Sequence, residues 1–223
     1  MPTLQKLIEN DIVDENESNL DLEITDEDTG EVTFKARKVS LNLYFGIPGA
    51  GKSTFAAYLA SKDLKKGRPV WSNTGITGCY QISKDDIGKY MIHDGRLIID
   101  EAGLEYDNRK MNMKDQEIYF YKYHRHYQME VDFFSQGLDV DIKIRKLARH
   151  IYLIKPSILP FFIKRKEISR RVGISDMTKE IIDEYFFVPW FAGGTKLIFA
   201  PRYYKCFNTS SRKELPVKEW NVW

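Results

Sequence analysis

Gly46-Ile47-Pro48-Gly49-Ala50-Gly51-Lys52-Ser53 fits the pattern G-x-x-x-x-G-K-[ST] at every fixed position. That pattern answers the demands of a nucleoside triphosphate. Glycines let successive backbone N–H groups turn inward and cradle phosphate oxygens, and a helix starting at the loop's end points its positive terminus at them. Lys52 is expected to reach the β- and γ-phosphates and the Ser53 hydroxyl to hold Mg²⁺. Thr54 adds an α-phosphate contact. Gly46, Pro48, Gly49, Ala50, Gly51, Lys52, Ser53 and Thr54 are therefore the expected ATP-binding residues. The flanks agree, since Ser40–Phe45 (SLNLYF) reads as a short buried strand and Ser53–Lys65 as a helix with Phe55, Tyr58 and Leu59 on one face.

About fifty residues on, Arg96-Leu97-Ile98-Ile99-Asp100-Glu101 supplies an apolar strand ending in two acids. Asp100 is placed to hold the Mg²⁺ shell, and Glu101 to take a proton from a water attacking the γ-phosphate. A water-activating acid favours hydrolysis over phosphotransfer, because a small-molecule kinase must keep water away. Gln136, at the tip of a third strand (Val131–Ser135), is expected to sense the γ-phosphate or position the water. A solvated loop residue is the plainer reading of the same glutamine.

The rest of the chain alternates strand and helix. Pro69–Ser72 and His150–Ile154 read as strands, and Asp115–Tyr127 and Asp141–Ala148 as helices. Alternation of this kind predicts an α/β fold, a mostly parallel sheet with helices on both faces. Beyond Pro156 the texture becomes aromatic, β-prone and interrupted by Pro and Gly. The organisation expected is an acidic segment over 1–38, a P-loop core over 39–156 and a small β-rich appendage over 157–223. Within the first segment, Leu20, Leu22 and Ile24 and then Val32, Phe34 and Ala36 alternate with polar residues around a Gly30-bearing turn, which predicts a β-hairpin.

The 223 residues carry 34 Lys and Arg against 32 Asp and Glu. That balance conceals a division. Residues 1–31 hold eleven acids and only Lys6, so the remainder is strongly basic. Residues 143–171 hold ten basic side chains against Glu167 alone, and Phe161-Phe162-Ile163 abuts Lys164-Arg165-Lys166. Cationic and apolar groups side by side suit a single-stranded nucleic acid or an anionic membrane surface. Lys164, Arg165, Lys166, Arg170 and Arg171 are the expected polyanion contacts, with a plain solvated face as the alternative. Arg145 is a candidate for completing a neighbouring subunit's site, and a solvent- or DNA-facing arginine is the equal alternative.

Several classes are excluded or disfavoured. Two cysteines, Cys79 and Cys206, cannot make a disulfide framework, so a reducing, cytoplasmic setting is expected. The best apolar stretch, Tyr185–Gly194, is about half the roughly 20 residues a spanning helix needs, and it contains Pro189. His124 and His126 diverge at i and i+2 on a helix and make a poor metal pair.

These motifs in this order resemble the zonular occludens toxin-like family, which includes the filamentous-phage gene I morphogenesis proteins. The matching stretches are Gly46–Thr54 (GIPGAGKST), Leu97–Gly103 (LIIDEAG), His124-Arg125-His126 before a strand ending Ser135-Gln136, and Asp141–Leu147 (DIKIRKL). The resemblance implies an additional-strand, RecA-like P-loop ATPase in which one strand separates the loop strand from the acid-pair strand. It also implies a homo-oligomeric virion-assembly motor at the inner face of a bacterial cytoplasmic membrane, with single-stranded DNA or phage coat proteins as cargo. Many members of the family continue into a membrane-spanning helix that this sequence does not contain, so the expectation is either a cytoplasmic domain alone or a membrane-anchored partner that supplies the helix. The alternative is an adaptor that assembles on ATP without sustained turnover.

Overall fold

The computed structural model describes residues 23–25, 32–34, 39–105, 113–137, 140, 142–174 and 181–206. The first two segments are strands β1 (Glu23–Thr25) and β2 (Val32–Phe34), paired antiparallel with Ile24 opposite Thr33. This is the hairpin that the alternation predicts; its turn lies outside the described residues.

A nine-stranded sheet organises the rest. In chain order its parts are β3 (Leu41–Phe45), helix α1 (Lys52–Leu64), β4 (Val70–Ser72), β5 (Tyr80–Gln81), β6 (Arg96–Ile99), α2 (Ala102–Glu105), α3 (Asp115–Tyr123), β7 (Glu130–Ser135), α4 (Ile142–Leu147), β8 (His150–Pro156), β9 (Phe162–Ile174), β10 (Ile181–Phe187) and β11 (Thr195–Phe199). Across the sheet the order is β10-β9-β8-β3-β7-β6-β4-β5, with β11 also on β9. The pairings from β8 through β5 are all parallel. One strand, β7, separates loop strand β3 from acid-pair strand β6, as the resemblance implies.

Burial on both faces explains the apolar run Leu97–Ile99 in β6 and the largely apolar β3 and β7, whose polar residues Asn42 and Asp132 are buried with their neighbours. On the α1 face, Tyr44 stacks on Phe134 at 4.8 Å and on Tyr152 at 4.9 Å, its in-register neighbours on β7 and β8. Phe55 of α1 sits 5.2 Å from Tyr44. This aromatic row locks the helix after the loop onto the strand before it. Each such ring pair contributes about 0.5–1.5 kcal/mol beyond its buried area. Leu41, Leu43, Tyr121, Phe133, Val140 and Ile144 form the opposite core, with α3 and α4 contributing Tyr121 and Ile144.

A polar network crosses the interior away from the loop. The Arg96 guanidinium donates to both Asp63 of α1 and Asp132 of β7. Asn42 Nδ2 donates to Asp132 at 2.8 Å and to Glu130 at 2.9 Å. Burial pushes the Asp132 carboxyl up to about 6, against the pull of Arg96. Asp63 has a second guanidinium, Arg68 at 3.0 Å, and its carboxyl lies below the usual range because the two arginines outweigh its burial.

The strands beyond residue 156 do not form a separate sheet. β9 pairs antiparallel with β8 over Ile168–Ile163, then carries β11 and β10 on its far side. The β-rich region foreseen after Pro156 thus extends the central sheet. A seven-residue 3₁₀ segment, Ala200–Cys206, returns the chain to α1, where the Tyr203 and Tyr58 rings meet edge to face at 5.4 Å.

Candidate functional site

The loop after β3 is held by its neighbours before it reaches α1. The Gly46 N–H donates to the Ser135 carbonyl of β7 at 3.2 Å. On the other side, a Cβ at Gly46 would fall 2.3 Å from the Ile154 carbonyl oxygen of β8, so only glycine fits. Gly51 has φ +94°, and a Cβ there would meet Ile163 Cδ1 at 2.5 Å. Gly46 is therefore required by its close approach to the β8 backbone, and Gly51 chiefly by its left-handed conformation. No side chain caps α1, and its first turn carries no acid, so nothing there opposes the helix's positive terminus.

Lys52 reaches back over this loop. Its Nζ donates to the carbonyls of Gly46 at 2.7 Å and Ile47 at 3.2 Å. Burial lowers the ammonium's pKa while Asp100 and Glu101 draw it up. Ser53 Oγ donates to Asp100 Oδ2 at 3.2 Å. That bond joins the ends of β3's loop and β6 across the intervening strand. Asp100 is almost completely buried, and burial raises its carboxyl pKa against the Ser53 and Glu101 N–H hydrogen bonds. A hydroxyl and a carboxylate side by side are two hard oxygen donors, the set Mg²⁺ takes alongside phosphate and water oxygens. The Ser53–Asp100 pair thus fits that ion.

Glu101 is exposed and has φ +53°, a left-handed conformation uncommon for a non-glycine residue. Its N–H donates to Asp100 Oδ1 at 2.9 Å. The backbone there is fixed by Asn73, which the sequence reading did not single out. Asn73 Oδ1 accepts the Asp100 N–H at 2.8 Å, and Asn73 Nδ2 donates to the Asp100 carbonyl at 2.9 Å. Asn73 directly follows β4, the strand beside β6. The signal was a polar amide at a strand tip, the same that marks Gln136.

Gln136 directly follows β7, is exposed, and stands between the loop and the acid pair in the strand order. Arg145 lies on α4, half-buried, with its Nε buried and unpartnered. His124 is buried with Nδ1 against the Tyr121 carbonyl at 2.7 Å, and burial lowers its pKa. Among the described residues no cluster of three His, Cys, Asp or Glu side chains could hold a metal. No helix among them is long and apolar enough to cross a membrane.

The basic run lies on β9, and a strand sends alternate residues to opposite faces. Arg165 faces the α1 side, its guanidinium 4.4 Å over the Tyr152 ring. Lys164 and Lys166 face the other side, where Lys155 is the register partner of Lys164 and Lys166 Nζ lies 5.2 Å from the Phe187 ring. Arg170 and Arg171 belong to the same strand, but their side chains lie outside the described residues.

No protein-family model matches the chain, and no curated protein matches it. Solved structures do. The N-terminal domain of zonular occludens toxin from Neisseria meningitidis superposes with a TM-score of 0.51 at 18% identity, covering 76% of this chain and 99% of that one. The genome packaging NTPase B204 of Sulfolobus turreted icosahedral virus 2, in complex with ATP-gammaS, has a TM-score of 0.43 at 12% identity over 65% and 96% of the two chains. A DnaB-like replicative helicase has 0.40 at 11% over 66% and 54%. The motif resemblance is borne out at the level of the fold: this chain has the additional-strand P-loop architecture of the zonular occludens toxin N-terminal domain.

Proposed function

We propose that this chain is a Mg²⁺-dependent ATP hydrolase that works as a homo-oligomer and couples turnover to the movement of DNA or protein cargo in virion morphogenesis. The observation that carries this reading is the Ser53–Asp100 bond beside the Gly46–Lys52 loop, with Glu101 next in line. A loop, a metal-holding pair and a flanking acid are the parts phosphoryl transfer to water requires.

The residues divide the work. Lys52 and the leading N–H groups of α1 bind the β- and γ-phosphates, and Thr54 lies beside the α-phosphate. Ser53 and Asp100 would hold Mg²⁺, which when bound neutralises charge developing on the phosphate oxygens. Glu101 accepts a proton from the attacking water, whose oxygen bonds to the γ-phosphorus as the bond to the β–γ bridging oxygen breaks. ADP and phosphate leave. Gln136 orients the water, and Asn73 keeps the Asp100-Glu101 backbone in register. Arg145 of an adjacent copy stabilises the charge on the transferring group.

For cargo, the lysine face of β9 supports single-stranded DNA over coat protein, because Lys155, Lys164 and Lys166 lie together beside an exposed aromatic ring. Arg170 and Arg171 continue the same strand. The setting that fits this reading is the bacterial cytoplasm, against a membrane-anchored partner.

The test is phosphate release in Mg²⁺ and ATP with and without single-stranded DNA, read alongside particle size. Sustained turnover in an oligomer, stimulated by DNA, is expected. ATP-driven assembly without turnover would replace the motor with a nucleotide-gated adaptor. Phosphate transferred to a nucleoside monophosphate would make the chain a kinase.

A further inference from the structure

The hairpin between β8 and β9 is unusual in what it exposes and where. Leu153 is level with Phe45, the last residue of β3. β8 therefore runs three residues past the sheet's carboxyl edge to Pro156, roughly 10 Å at the usual strand rise. Its turn, Ser157–Phe161, lies beyond that edge, on the side of β3 away from β7 and β6. Ile163, the second residue of the returning strand, packs directly on Gly51.

The tip is apolar and open. Ile158 is 103% exposed and Phe161 65%. Phe161 also has φ +68°, a genuine outlier for a bulky side chain. Bonds on both sides hold it there: its carbonyl accepts the Ala200 N–H at 2.8 Å, and the next N–H, of Phe162, donates to Leu159 at 3.3 Å. Glycine or asparagine would occupy that backbone with less strain. A phenyl ring there, left mostly in water, contributes little to the core.

The position along the sheet says what the ring meets. Asp100 and Glu101 lie on the β6 side of the loop, so the γ-phosphate end of a bound nucleotide points that way. The nucleoside end must then extend to the opposite side of β3, which is the β8–β9 side. We propose that the Ser157–Phe161 tip is the nucleoside-binding shelf of this site, with the Phe161 ring stacking on the base and Ile158 covering its edge. The proposal rests on the nucleotide-binding reading above and adds the residues that hold the base. Recognition is by π-face and aliphatic contact.

The test compares two ligands in the full chain with Mg²⁺: a non-hydrolysable ATP analogue and inorganic tripolyphosphate, which lacks a nucleoside. Stacking of one base on an aromatic ring corresponds to about a 5- to 150-fold effect on affinity. Phe161→Ala should weaken the ATP analogue by that factor and leave tripolyphosphate within about two-fold, and Phe161→Tyr should restore the analogue's affinity. Unchanged analogue binding in Phe161→Ala overturns the shelf, as does an equal loss for both ligands. A changed particle size with unchanged affinity assigns the tip to subunit packing and also overturns it. If tripolyphosphate and the analogue both fail to bind the wild-type protein, the phosphate-loop reading itself falls.

Discussion

Asn73→Ala should separate nucleotide binding from turnover. The Asn73 amide makes two hydrogen bonds to one peptide neighbourhood, accepting the Asp100 N–H at 2.8 Å and donating to the Asp100 carbonyl at 2.9 Å. Asp100 is buried, so no water replaces the amide freely. Two such bonds contribute about 0.5–1.5 kcal/mol each, or roughly 1–3 kcal/mol together. If the loss is taken up by displacement of the Asp100-Glu101 turn, the same energy appears in the barrier as about a 5- to 150-fold fall in kcat. On the proposed reading phosphates bind to the loop and the α1 terminus and not to the Asp100-Glu101 turn that Asn73 holds, so affinity for ATP without Mg²⁺ should stay within two-fold. Asn73→Asp sharpens the expectation. It keeps the acceptor for the N–H but turns a carboxylate toward the Asp100 carbonyl, and it should lower kcat at least as far as alanine does. Denaturant unfolding and single-turnover phosphate release read the two effects separately. A stability change under 0.5 kcal/mol with an unchanged kcat would refute the positioning role.

Three further outcomes follow from the same geometry. Gly51→Ala incurs about 1–2 kcal/mol for a left-handed alanine and about 1–3 kcal/mol for crowding Ile163, so denaturant unfolding should register a loss of roughly 2–5 kcal/mol; a loss below 1 kcal/mol would mean that the hairpin yields. Arg96→Met leaves Asp63 and Asp132 facing each other without their shared guanidinium and should cost about 3–5 kcal/mol by the same measurement. On β9, the double variant Lys164→Glu/Lys166→Glu should flatten the salt dependence of single-stranded DNA binding by about 1.4 in log–log slope, whereas Arg165→Glu on the opposite face should leave it near the wild-type value. Equal effects from all three positions would show that general charge, not the strand face, governs the contact.

Much of this fold is legible from the sequence because the phosphate loop forces its surroundings. A G-x-x-x-x-G-K-S segment needs a strand before it and a helix after it, and β3 and α1 begin and end within a residue or so of expectation. The apolar run Leu97–Ile99 in β6 marks a strand buried on both faces, which fixes it in the sheet's interior. Less visible was anything that depends on pairing. The run after Pro156 shows β propensity, but its union with the central sheet rests on the β8–β9 register, a non-local fact. The same register turns Lys164-Arg165-Lys166, adjacent in sequence, into groups on opposite faces. Asn73 escaped notice for a similar reason: its role exists only because β4 lies beside β6 and brings the amide to the Asp100 backbone. Phe161 reads as one more aromatic in an aromatic stretch until its exposure and its backbone angle set it apart.

In the proposed reaction Glu101 activates water at a phosphate loop closed by Ser53 and Asp100. The direct test is steady-state phosphate release by the wild-type protein and Glu101→Gln, with ATP affinity measured on both. General-base catalysis contributes about 10²–10⁴ in rate. Glu101→Gln should therefore bind ATP as the wild type does and turn it over at least about 100-fold more slowly. Equal turnover by the two proteins would contradict it, and so would wild-type protein that binds ATP yet releases no phosphate as an oligomer with DNA present.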